Sequence, residues 1–268
     1  MVINSISRFR SEFNFHVMQI RSTILSLNYE MNEGHLGSSF SIVDVLHGLY
    51  SSRIIGEEDE SDVFILSKGH ASFALYSTLI EHNRISRNVM DDLQYLGTHF
   101  GGHPDRNKLS EVMASTGSLG HGLPIAIGLA LSDRAQNRDR QIFVLVGDGE
   151  LNEGTCWESL MLIENHNLRC ITVIVDRNHS NDSSIDLFDL KRKFESFSFS
   201  VIEFDGHSAL EIEGVFAQDL SKGHTALIAN TIKGFGIKKM ENSREWHHKS
   251  ISKDELVEFQ RELAARYA

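Results

Sequence analysis

Cysteine is nearly absent: Cys156 and Cys170 are the only two in 268 residues. That excludes a disulfide framework and a cysteine-rich zinc site, and makes a reducing, cytoplasmic compartment the expected one. Proline is equally scarce, at two residues, so no Pro-rich linker divides the chain. Basic residues are few as well. Lys and Arg number 26 against 37 Asp and Glu, a formal net charge of −11. Nucleic acid and anionic membrane need clustered cations, so neither is an expected partner. An anionic ligand would have to be held locally, by backbone N–H groups, histidines or a metal ion. Long apolar runs are missing too. The longest, "LPIAIGLAL", is far short of the ~20 residues that span a bilayer. The first residues, "MVINSISRFRSEF", carry no apolar core of a signal peptide. The sequon Asn181-Asp182-Ser183 therefore reads as a polar loop rather than a glycosylation site. No repeat or low-complexity tract occurs, and residues 1–268 read as one continuous domain.

What is present is an ordinary globular composition, 41% hydrophobic and 24% charged, with an unusual fourteen histidines. Residues 7–30 carry apolar positions at helical spacing: Phe9, Phe13, Val17, Ile20, Ile24 and Leu27. "GHLGSSFS" reads as a break, followed by a second helix in "IVDVLHGLY". Short apolar strands are expected at "VFIL", "QIFVLV", "CITVIV", "SFSVIEF" and "TALIANT". Helices alternate with them, including "LPIAIGLALSDRA", with Pro124 in its first turn, and a terminal helix capped by Ser252. Such alternation predicts an α/β fold, a parallel sheet covered by helices on both faces. Ligands of such sheets bind beyond the carboxyl ends of the strands.

Two of those ends carry chemistry. "GDGELNEG", 147–154, follows one strand, and "VDRN", 175–178, closes the next. The 30 residues from Asp148 to Asn178 fit one βαβ unit, so both side chains emerge at one sheet edge. A carboxylate and an amide there make a hard oxygen site suited to Mg²⁺ or Ca²⁺, completed by a backbone carbonyl, water and phosphate. The flanking glycines let backbone N–H groups approach an anion. Taken alone, "GDG" is equally the composition of a surface turn.

"GDGELNEG…VDRN" resembles the thiamine diphosphate motif, which opens with GDG and closes with an asparagine about thirty residues later. "GHLGSS", "LSKGHAS", "GGHPDR", "STGSLGHG" and "IKGFGIKKMENSREWHHK" each resemble a segment of transketolase, in the same order, across residues 10 to 250. The chain is identified on these segments as a member of the transketolase family, in its three-layer diphosphate-binding fold. The resemblance implies thiamine diphosphate as cofactor. It makes Asp148, Asn178 and the carbonyl of Ser180 ligands of Mg²⁺ or Ca²⁺. Gly117, Leu119, Gly149 and Asn178 would line the cofactor, with His70 and His103 donating to its diphosphate or to nearby substrate oxygens. His35 and His247 would contact donor hydroxyls and move protons, which imidazole does well near neutral pH. Glu153 would join two cofactor sites of a dimer through an acidic network, and Glu150 reads as solvent-facing. His16, His47, His82, His166, His179, His207 and His224 read as structural. His99, His121 and His248 stay open. Leu36 replaces the family's usual proline, His121 its usual glutamine, and the "NHSNDSS" loop is unusually polar.

The family's pyrimidine-binding domain, with its activating glutamate, has no counterpart here. The resemblance thus implies the amino-terminal subunit of a split transketolase, transferring a two-carbon ketol unit from a ketose (phosphate) to an aldose (phosphate). A separate partner would carry the pyrimidine domain, two copies of each chain forming the enzyme. Another thiamine diphosphate enzyme, a decarboxylating ligase of the deoxyxylulose-phosphate-synthase kind, is the alternative. A phosphotransferase using Asp148 as nucleophile would want a second aspartate at position 150, which is Glu150. A non-catalytic subunit would need broken site residues, and they are intact.

Overall fold

The computed structural model describes residues 2–56, 61–179 and 185–267. Ser180 and the 181–183 sequon lie outside the described residues, so the third expected metal ligand has no described position.

Five strands form one parallel sheet in the order β1-β2-β3-β5-β4. They are β1 (Val63–Leu66), β2 (Ile142–Gly147), β3 (Ile171–Arg177), β4 (Ser200–Asp205) and β5 (Thr225–Asn230). All five lie at the expected apolar runs. Alternate side chains of each strand point to opposite faces. Phe64, Leu66, Phe143, Leu145 and Ile174 enter one apolar cluster. Val63, Ile65, Ile142, Val144 and Val173 enter the other. The first face packs against α1 (Val2–Met31), α2 (Leu36–Ser41), α3 (Val43–Ser52), α4 (Ser72–Glu81), α9 (Ala209–Phe216) and α10 (Lys253–Arg266). The second packs against α6 (Gly122–Ala135), α7 (Gly154–Asn165) and α8 (Leu190–Glu195). A short α5 (Leu93–His99) precedes the irregular segment 100–121. Burying each Leu, Ile, Val or Phe side chain stabilises this arrangement by about 1.5–3 kcal/mol.

Local signals hold at the boundaries. Pro124 is in the first turn of α6. Ser252 caps α10 with a reciprocal Ser252–Glu255 capping box. One expectation is corrected: "GHLGSSFS" is not merely a break. Its residues 36–41 form α2, buried throughout. Gly and Ser disfavour helix locally, and packing of that short turn into the core overrides the preference. Among the described residues, no helix is long and apolar enough to cross a membrane.

Candidate active site

The β2 and β3 ends set the site's register. Gly147 pairs with Asp176, and the Asp148 N–H donates to the Asp176 carbonyl at 3.1 Å, extending the ladder past the strand. Asp148 and Asn178 are therefore neighbours at the carboxyl edge, both buried. Asp148 accepts from its own following Gly149 N–H at 2.7 Å and from the Arg177 guanidinium at 3.2 Å. Burial first, and the Asp176 charge second, raise the Asp148 pKa. Asn178 donates its amide N–H to Asp176 at 2.7 Å, so its oxygen is the atom it can offer a cation.

Asp176 is the hub that the sequence did not disclose. It accepts from Lys68 Nζ at 2.6 Å, Ser41 Oγ at 2.8 Å, Asn178 and Thr231 Oγ1. Lys68 also donates to the Ser38 carbonyl at 2.9 Å. Both members of the pair are buried. The cation and its hydrogen bonds hold the Asp176 pKa below the usual carboxylate range. Lys68 sits in "LSKGHAS", directly beyond β1, and its chemical signal was its place between a buried strand and a glycine. Lys233, in "IKGFG", was missed in the same way. Burial, then repulsion from Lys68, lowers its pKa.

Glu150 corrects the solvent-facing expectation. It is 2% exposed. It accepts from Ser67 Oγ at 2.5 Å, the Gly120 N–H at 2.8 Å and the Gly147 N–H at 3.1 Å. Burial raises its pKa. One carboxylate thus ties the ends of β1 and β2 to the 117–122 segment. Close approach completes the join at Gly69. A Cβ there would lie 2.9 Å from the Gly117 nitrogen and the Thr116 carbonyl, so only glycine lets the two segments meet.

The histidines converge on the same edge. Gly34, at φ +125°, turns the chain ahead of His35 where no side chain would clear the Phe73 ring. His35 ring centroids lie 5.2 Å from His70, 5.4 Å from His247 and 4.6 Å from His248. His248, left open on sequence, therefore joins the group. His103 is exposed, beside Gly117, and its charge is felt at His35. Burial first, then neighbouring cationic rings, lower the His35 pKa to about 4. Burial, then Lys68, lower His70 to about 2. Lys233 donates to His247 Nδ1 at 2.8 Å, which leaves His247 Nε2 to carry the proton. Leu119 is half-buried. Glu153 is exposed at the N-cap of α7. His99 stacks on Tyr95, and His121 donates to the Leu119 carbonyl at 3.0 Å.

The arrangement suits an anion accompanied by a divalent cation. His35 Nδ1 is buried without a partner. Lys68 and Lys233 are within electrostatic reach of each other, while Asp148 is raised by burial and then by the Asp176 charge, which a cation would offset. Among the described residues no group of three His, Cys, Asp or Glu is placed to hold a metal. A site of one carboxylate, one amide and a backbone carbonyl is of another kind.

Comparison with known proteins decides the family. Residues 15–267 match the model of the transketolase, thiamine diphosphate binding domain. The chain belongs to the transketolase family. It is 35% identical over 251 residues to an apulose-4-phosphate transketolase subunit of Actinobacillus succinogenes, covering 88% of this chain and 90% of that one. The subunit of the same name from Phocaeicola vulgatus is 31% identical, with 92% of both chains covered. The crystal structure of Campylobacter jejuni transketolase superposes with a TM-score of 0.77 at 25% identity, over 96% of this chain. This chain spans 43% of that transketolase's length.

The buried and half-buried histidines of this transketolase domain make its stability depend on pH. His35, His47, His70 and His82 have folded pKa values of about 4, 3, 2 and 4, burial being the largest cause in each. Unfolded, each titrates near 6.5. Below about pH 6.5 the unfolded chain binds the protons that the folded one refuses, so stability falls with pH there. We expect a urea midpoint level above pH 7 that drops steeply from 6.5 to 4.5. A midpoint unchanged from pH 7 to 5 would contradict the burial of these rings.

Proposed function

We propose that this chain is the diphosphate-binding subunit of a split transketolase. The carrying observation is its match, over nine-tenths of their length, to relatives themselves named as transketolase subunits, and the mutual approach of the His35, His70 and His247 rings supports it. On this reading residues 1–268 act as one domain, and a separate chain supplies the pyrimidine-binding domain and its activating glutamate. Two copies of each would assemble, exposed Glu153 meeting its symmetry mate at the interface.

Thiamine diphosphate, once bound, supplies the chemistry that cleaves a ketose beside its carbonyl. This chain holds and orients. Asp148, the Asn178 oxygen and the Ser180 carbonyl would hold Mg²⁺ or Ca²⁺. Lys233, His70, His103 and the Gly149 backbone would face the diphosphate, with Gly117 and Leu119 along the cofactor's flank. His35 and His247, neutral near pH 7, can each accept or donate one proton at a substrate hydroxyl. An anion entering would raise both pKa values toward neutrality, where proton transfer is most effective. Ketol transfer between sugar phosphates is the reaction expected, and apulose 4-phosphate, from the relatives' names, is the first donor to try.

The chain alone should give no measurable ketol transfer with ketose-phosphate donors. Adding a pyrimidine-domain subunit, thiamine diphosphate and Mg²⁺ should restore it. Robust turnover by the isolated chain would refute the split reading. Product formation from pyruvate rather than from ketoses would point to the decarboxylating-ligase alternative.

A further inference from the structure

The turn after β4 carries His207, two residues beyond Asp205 and outside the cleft. Its ring is almost wholly enclosed, lying parallel on Phe235 at 3.6 Å between centroids. Both ring nitrogens are engaged. Nδ1 lies 2.9 Å from Asp44 Oδ2, and Nε2 lies 2.9 Å from the Ile232 backbone nitrogen.

The polarity of this chain of bonds is determined. Asp44 is buried against the Arg21 guanidinium, which holds its pKa well below the usual carboxylate range. It is therefore a carboxylate and can only accept, so His207 carries its proton on Nδ1. Nε2 is then bare and accepts from the Ile232 N–H. A doubly protonated ring would set N–H against N–H at Ile232. Arg21 grips the same loop a second time, donating from Nε to the Phe235 carbonyl at 2.9 Å. Its guanidinium also donates to the Phe40 carbonyl at 3.2 Å, linking the loop to α2.

What this clamp fixes is the residue after Ile232. Lys233 runs from the clamped backbone across Gly37, where a Cβ would lie 3.2 Å from its Cγ and Cε. Its Nζ donates to His247 Nδ1 at 2.8 Å. Arg21, Asp44, His207, Ile232, Lys233 and His247 thus form one relay of directed bonds from the helical layer to the cleft. At its two histidines the tautomers are opposite: Nδ1–H at His207 and Nε2–H at His247.

We infer that His207 is a positioning residue, which through the Ile232 N–H holds Lys233 against His247 and so fixes the tautomer that His247 presents to the cleft. The inference rests on Lys233 and His247 being site residues. It is tested on the isolated full chain, so that absence of ketol transfer in a reconstituted complex would overturn the proposed function and leave this untouched.

The experiment is nitrogen-15 NMR of the imidazoles during a pH titration. In the unaltered chain His207 should show Nδ1 protonated and His247 Nε2 protonated at neutral pH. His247 should titrate below the ordinary value, because burial and Lys233 disfavour its cation. His207→Phe keeps the stacking on Phe235 and removes both bonds. It should raise the His247 midpoint toward the ordinary value of about 6.5 and abolish its fixed tautomer. Lys233→Met should give the same rise. His207→Gln, whose amide offers one donor and one acceptor, should keep His247 close to its original behaviour. A His247 signal unmoved by His207→Phe in a folded chain would overturn the inference. If that variant does not fold, the unaltered chain still decides: His207 found with Nε2 protonated would overturn it, and Nδ1 protonated with Gln rescue would sustain it.

Discussion

Asp148→Ala is expected to yield a folded chain that retains no Mg²⁺-dependent affinity for thiamine diphosphate in the assembled enzyme. The folding half follows from the sign of the Asp148 shift. Its pKa is raised by burial and by Asp176, so without a cation its ionised form is a cost to folding. What its removal takes away is the pairing with Arg177 and the Gly149 hydrogen bond, offset by relief of that cost. The binding half follows from the cation proposed at Asp148. A metal contributes several kcal/mol of charge stabilisation at a phosphate site, and about 4 kcal/mol corresponds to roughly a thousandfold in rate. Ketol transfer should therefore fall by about 10³ or more, with thiamine diphosphate affinity becoming indifferent to added Mg²⁺. Calorimetric titration of the complex with and without Mg²⁺ checks it. Unchanged affinity in the variant would remove Asp148 from the metal site.

The sequence disclosed this part of the site because its signals are local. Strand ends showed as apolar runs stopped by glycine, and Asp148 and Asn178 fell just past two of them. Parallel pairing of β2 with β3 then put them side by side. The histidine segments were legible through family resemblance, and the rings of His35, His70 and His247 lie together. Glu150 was misread for the opposite reason. Nothing within "GDGELNEG" says that Ser67 and Gly120 will wrap that carboxylate, since both come from distant parts of the chain. A charged residue in a turn reads as solvated until its partners are known. Lys68, Asp176 and Lys233 share that blindness, as does His207, whose partners Asp44 and Ile232 are far from it in sequence. The helix at 36–41 was hidden by its own composition, because packing rather than propensity forms it. What sequence reading finds is the groups expected to touch a ligand. The buried ionic scaffold holding them depends on tertiary pairing.

That scaffold carries the largest stability effect we expect. Asp176→Ala should destabilise the chain by about 3–5 kcal/mol, because it leaves the Lys68 ammonium buried without its counter-charge. Ser41, Asn178 and Thr231 lose an acceptor in the same step. In the intact protein the Asp176 contribution has a defined pH window. Its folded pKa is depressed, so the stabilisation is complete above the unfolded carboxylate value of about 3.9 and is lost as pH falls through the folded one. At pH 7 the full penalty of removal should therefore be seen. Chemical denaturation of Asp176→Ala, Lys68→Met and the double variant separates two contributions. If buried charge is the cost, the double variant should recover much of the loss, since a pair replaced by apolar groups is often nearly neutral. Additive losses instead would show that the hydrogen bonds to Ser41, Asn178 and Thr231, rather than the ion pair, make Asp176 indispensable. With either outcome the double variant should bind thiamine diphosphate weakly, because Asn178 loses the Asp176 carboxylate that orients its amide. Stability regained without binding regained would separate the scaffold's structural contribution from its service to the cofactor.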